Sequence, residues 1–132
     1  MATVILGTPL PRIDLIVQAG QELEISVPVL DGASAPVAAT DLIRARAHVR
    51  PAPISDQVLH VFDSDEDPPN IEITGTSVAI LVITATSVET SLWQHTFPTA
   101  EVWWDIEVTA ADSDPQQITA PGVITLNPEV TR

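Results

Sequence analysis

The chain has no cysteine, no lysine and no tyrosine, and among its 132 residues it carries only five glycines. Without cysteine there is neither a disulfide framework nor thiol chemistry. All five basic residues are arginines, set against 18 acidic ones, for a formal net charge of −13. A chain with that balance repels phosphate backbones and anionic membrane surfaces, which argues against nucleic-acid and membrane partners. It favours basic partners or cations. No apolar run approaches the length of a membrane span. Residues 1–10 lack the basic start and long apolar stretch of a secretory signal, so the expected place of synthesis is the cytosol.

What is present points to strands. Hydrophobic residues make up 45% of the chain, enough for one domain with its own core. The apolar residues are mostly Val, Ile, Leu and Ala, and the stiff branched side chains of Val, Ile and Thr suit pleated surfaces. Twelve prolines imply frequent reversals and few long helices.

Residues 1–12, with Pro9 and Pro11, read as an extended arm, and 13–132 as a single domain. Strict alternation marks 22–30, 42–50 and 101–109 as half-buried strands. Further strands are expected at 13–18, 57–62 and 122–126. Two runs flanking Gly75-Thr76, 70–74 and 77–84, should form a hairpin, with the second run central. Pro28 lacks a ladder donor and assigns its strand to an edge or a bulge. Thr86 and Glu89 have capping-box spacing and predict one or two helical turns near 87–94. The expected fold is all-β: an antiparallel immunoglobulin-like β-sandwich of seven to eight short strands. Its expected core is Leu23, Ile25, Val27, Ala47, Val49, Ile80, Val82, Trp104, Ile106 and Val108.

Few residues suggest chemistry. Asp63, Asp65 and Asp67 alternate as in a Ca²⁺ loop, but Pro68 and Thr74 stand where such a loop needs Gly and Glu, so no metal is expected. His48, His60 and His95 have no metal-ligand spacing. No nucleophile elbow, metalloprotease motif or phosphate loop occurs. No catalytic residue and no cofactor is expected, and the chain reads as non-enzymatic. Arg44, Arg46 and Arg50 share one strand face. Cross-strand carboxylates such as Asp105 and Glu107 are natural partners for the first two, leaving Arg50 freer at the strand end. Trp103 alternates with an inward Trp104 and therefore faces out, either toward a partner or under the arm or the loop at 110–120. Val4, Ile5, Leu6 and Leu10 of the arm, with Trp103 and Arg50, form the candidate interface. Trp93 and Phe97 are expected to cover one end of the core.

Three pieces carry a family resemblance. They are the turn Asp31-Gly32…Pro36 leading into DLIRARAHVR, the strand VWWDIEV at 102–108, and the ending GVITLNPEVTR from Gly122 to Arg132. Together, over about residues 20–132, they resemble small virion proteins of tailed bacteriophages and prophages, associated with tail fibres or baseplates. They are also similar to the N-terminal sandwich of siphophage baseplate upper proteins. The chain departs from that pattern with Ala39-Thr40 before Asp41-Leu42, with Trp where Tyr is usual, and without a basic residue before the final strand. The resemblance implies a virion structural protein of the tail, baseplate or fibre attachment, assembled in the host cytoplasm. Its partners would be other virion proteins and copies of itself. Capsid decoration is the alternative position within a particle. A ligand- or carbohydrate-binding sandwich is the rival class, and it would need an aromatic platform.

Overall fold

The computed structural model describes residues 10–31 and 35–129. Nine strands, one α-helix and one short 3-10 turn follow in the order β1 (Leu15–Gln18), β2 (Leu23–Pro28), the turn at Ala39–Asp41, β3 (Leu42–Arg50), β4 (His60–Asp63), β5 (Ile71–Thr74), β6 (Ile80–Ala85), α1 (Ser87–Thr96), β7 (Glu101–Ala110), β8 (Gln116–Gln117) and β9 (Gly122–Asn127). They build two sheets. The larger has the order β1-β9-β7-β3-β4, with β8 beside β7, and the smaller is β2-β6-β5.

Both sheets turn one side to a common core. From the larger come Ala45, Ala47, Val49, Phe62, Val102, Trp104, Ile106 and Ile124; from the smaller come Val27, Ile71, Leu81 and Ile83. The two-residue period of β3 and β7 does this directly, because alternate side chains of a strand fall on opposite faces. In β6 the expectation of Ile80 and Val82 as core needs correcting. That strand is apolar at both parities, so alternation does not tell its faces apart. Ala79, Leu81, Ile83 and Ala85 are buried, while Ile80 and Val82 lie half-buried on the outside. Leu23 and Ile25 pack on the core only partly buried, near the open end of edge strand β2. The position of β6 between β2 and β5 agrees with its continuous apolar run.

The pairing is antiparallel except at β1, which runs parallel to β9 with Leu15 opposite Ile124. That departs from the wholly antiparallel expectation. The two strands lie at opposite ends of the chain, so no short turn dictates their relative direction.

The helix begins where the capping box places it. The Thr86 hydroxyl accepts from the Glu89 amide at 3.1 Å, and the Thr86 amide donates to the Glu89 carboxylate at 3.0 Å. It runs ten residues, somewhat longer than the expected 87–94. Thr90 and Trp93 point inward, whereas Val88 and Leu92 stay exposed. Trp93 stacks on Phe97 with ring centroids 5.2 Å apart and meets Phe62 edge-on. Trp93 and Phe97 are both buried within the core cluster.

The incoming chain is stitched to the larger sheet. The Ile13 carbonyl accepts from the Trp104 indole at 2.9 Å. It also lies 2.0 Å from where a Cβ on Gly122 would stand, so only glycine fits there. Val4, Ile5 and Leu6 of the candidate interface lie outside the described residues.

Candidate functional site

Two surfaces are candidates for contact: the outer side of the larger sheet, and the exposed strand edges. On the outer side, β3 and β7 are registered with Arg46 opposite Glu107, His48 opposite Asp105 and Arg50 opposite Trp103. Alternation puts all of these side chains outward, and they answer one another. Arg44 donates twice to buried Asp63, at 3.0 and 2.6 Å, and reaches Asp65 at 3.3 Å. Arg46 approaches Asp63 at 3.5 Å and Glu107 at 3.9 Å. Arg50 lies 3.6 Å from Asp105, so it is not the freer residue that its end position suggested. The expected carboxylate partners hold for Arg46, while Arg44 pairs instead with Asp63 at the end of β4 and Asp65 in the loop after it.

The electrostatics follow from these contacts. The Arg44 guanidinium, helped by the Asp65 amide, holds the Asp63 carboxyl below its ordinary range, and Asp63 in turn raises Arg44. Burial, with Arg46 and Arg50 nearby, lowers His48. The Arg46 guanidinium, which can only donate, stands 3.2 Å from His48 Nε2, a geometry that suits a neutral ring with that nitrogen unprotonated. Asp63 and Asp65, two members of the alternating acidic loop, are thus engaged by arginine. Among the described residues no group of three or more His, Asp or Glu is placed to hold a metal ion.

Trp103 is half-buried. The Arg12 guanidinium lies over its ring, 5.3 Å from the centroid, within cation–π range. Arg12 also donates to Asp14 at 2.8 Å, and the same Asp14 oxygen accepts from the Val123 amide at 2.8 Å. The amide of Ala120 donates to the Pro11 carbonyl at 2.9 Å. The end of the arm, half-buried Leu10 included, therefore lies along its own domain and partly covers Trp103.

The strand edges differ in how they are closed. In β4, the backbone groups that turn away from β3 belong to Val61 and Asp63. The Asn70 side chain takes one group from each, accepting from the Asp63 amide at 2.6 Å and donating to the Val61 carbonyl at 3.1 Å. In β2, the Val29 amide bonds the Ala79 carbonyl at 2.9 Å, so by alternation Val27 and Ile25 also face β6 while Pro28 faces off the edge. A proline there offers no donor to an incoming strand. In β5, the Thr84 amide bonds the Asn70 carbonyl at 2.9 Å. Glu72 and Thr74 then share that orientation, and the amides and carbonyls of Ile71 and Ile73 point away from β6. In β1, Ile16 is 78% exposed on the outermost strand of the larger sheet.

Sequence reasoning found the Arg face, Trp103 and Pro28. It missed Ile16, because a short strand with apolar residues at both parities has no legible outside. It also missed the Asn70 clamp, which joins residues that only folding makes neighbours.

No protein-family model matches the chain, and a comparison with curated proteins finds no match either.

Proposed function

We propose that this chain is a non-enzymatic assembly protein of a tailed-bacteriophage virion, a tail, baseplate or fibre-attachment component built on an immunoglobulin-like sandwich. The sandwich reading is supported by strand order. An immunoglobulin-like domain places strands B, E and D in one sheet and G, F and C in the other, with C′ added beyond C in variable types. Here β2-β6-β5 takes the places of B-E-D, and β9-β7-β3-β4 those of G-F-C-C′. The chain differs in lacking the inter-sheet disulfide and in carrying α1 between β6 and β7.

The observation that carries the assembly reading is Ile16. A large apolar side chain, 78% exposed on an outer strand just beyond the arm, gains nothing in water. It becomes favourable when a neighbouring chain covers it. The virion setting comes from the resemblance of DLIRARAHVR, VWWDIEV and the C-terminal GVITLNPEVTR.

The test is Ile16→Lys, scored by native mass and by incorporation into particles. The expected result is an unchanged melting temperature with loss of the oligomer or of incorporation. A variant that assembles like the parent chain would overturn the reading.

A further inference from the structure

Along the outer edge of β5 runs an open groove of about 430 Å³, lined by Ile43, Pro69, Ile71 and Ile73, with Ser64, Asp65 and Glu72 among its polar residues. We propose that this groove takes an extended, basic segment of a different protein, added as a strand to β5. The inference rests on the assembly reading for its choice of a protein partner.

Three observations support it. The first is the backbone. Among the described residues no strand pairs with the outer side of β5. Its Ile71 and Ile73 amides and carbonyls point off that side, as the pairing of Asn70 with Thr84 requires. The other edge of the same sheet presents Pro28, and the β4 edge is taken by Asn70. Strand addition uses main-chain hydrogen bonds for affinity and alternate side chains for selectivity, and β5 offers both.

The second is the apolar floor. Ile43 is 59% exposed beside Pro69, giving an incoming apolar side chain a surface to cover.

The third is charge. Glu72 is exposed with no basic partner among the described residues, and Glu66 and Asp67 stand exposed in the loop beside it. Asp65 touches only Arg44 among the cations and remains 59% exposed. A second copy of this chain is poorly suited to answer these acids. It has no lysine, and all four arginines among the described residues already face carboxylates of their own domain. Complementarity therefore selects a partner richer in Lys or Arg than this chain is.

The experiment titrates the full isolated chain with a short synthetic peptide in which Lys alternates with Val, followed by amide shifts and hydrogen exchange. Binding should shift and protect the Ile71 and Ile73 amides. Methylating alternate peptide nitrogens should abolish it, and replacing Lys with Glu should do the same. Glu72→Lys should weaken binding by roughly three- to tenfold, and so should added salt. Equal binding of the methylated or acidic peptide, or an unchanged affinity in Glu72→Lys, would overturn the proposal. So would concentration-dependent protection of the same amides in the chain alone, which would mean that a second copy is the occupant. These readouts do not involve Ile16, so their failure leaves the assembly reading to its own incorporation test.

Discussion

The outer sides of the two sheets are opposites. On the larger sheet, Arg44, Arg46 and Arg50 meet Asp63, Asp65, Asp105 and Glu107, and Arg12 lies over Trp103. On the smaller sheet, Glu72 lies opposite half-buried Val82 and Glu24 opposite Thr84, and among the described residues no arginine pairs with either carboxylate. The formal charge of −13 is therefore unevenly spread. One side has most of its carboxylates met by arginine and is shaped by its own contacts. The other keeps its carboxylates in water, where they cost little until a partner approaches. A surface whose charges are already answered has less to offer a partner than one whose charges are not.

The comparison breaks hardest at Asp63. Its carboxylate is buried and accepts two hydrogen bonds from Arg44, with Arg46 close by. Asp63→Asn leaves those guanidiniums facing a neutral amide and should cost about 2 kcal/mol of stability, measured by urea unfolding. The same substitution at Asp67, on the exposed loop, should cost less than about 0.5 kcal/mol.

Acid acts next on two histidines, His60 on the core-facing side of β4 and His48 on the closed side. His60 is packed edge-on between Phe62 and Trp93, its Nε2 buried without a hydrogen bond and 3.9 Å from Glu89. Burial lowers its pKa below 6.5, with Glu89 opposing, and burial lowers that of His48 as well. For both, the unfolded chain binds protons more readily than the folded one. Stability should therefore be level above the unfolded value near 6.5 and fall as the pH drops below it. Each histidine contributes a slope of at most about 1.4 kcal/mol per pH unit. His60→Phe should remove one of the two contributions. Melting temperatures between pH 8 and about pH 5 check this, and an unchanged slope in the variant would refute it. Asp63, held low by Arg44, adds its own loss only at more acidic pH.

Much of the closed side could be read in advance and little of the open side. Alternation in LIRARAHVR and EVWWDIEVT places residues on faces without any tertiary knowledge, because the period is two and the polar face is unmistakable. The capping box is equally local. In SVAILVIT that signal vanishes, since both parities are apolar, and the side that Ile80 and Val82 take is not legible from alternation. Edges are set by which strands become neighbours. Nothing near Asn70 in the chain foretells that its amide will bridge Asp63 and Val61, or that β5 will lack an outer partner among the described residues. Pro28 was the exception, because a missing donor is a property of the residue itself.

A gentler break lies at Arg12, half-exposed over Trp103. Arg12→Ala should cost about 0.5–1 kcal/mol through the lost ring contact and packing, read as a small fall in melting temperature. Trp103 fluorescence should shift red as water reaches the indole. No spectral change would mean that Arg12 does not cover the ring in solution.

A paired charge reversal, whose net effect at Glu72 is the smallest of all, discriminates best, because its sign differs between the two sides. Consider one charge reversal made twice, Glu107→Lys and Glu72→Lys. Glu107 lies on β7 opposite Arg46, within 3.9 Å of its guanidinium. A lysine there removes an attraction and adds a repulsion on a strand pair that also carries Arg44 and Arg50, and should cost about 1 kcal/mol. Glu72 sits on β5 in a groove with Asp65, near Glu66 and Asp67, and the described residues hold no cation against it. A lysine there exchanges repulsion for attraction in a chain already burdened with negative charge. It should leave stability unchanged or raise it by up to about 0.5 kcal/mol. Both positions lie on strands, so differences in β propensity largely cancel between the two experiments. Salt supplies the control. The Glu72→Lys gain arises among exposed charges and should disappear near 1 M salt, where screening reaches only about 3 Å. The Glu107→Lys loss should shrink less, because Arg46 and Glu107 are both partly buried. Two losses of equal size would show that the smaller sheet's carboxylates are answered after all, and would remove the electrostatic reason for a basic partner at β5.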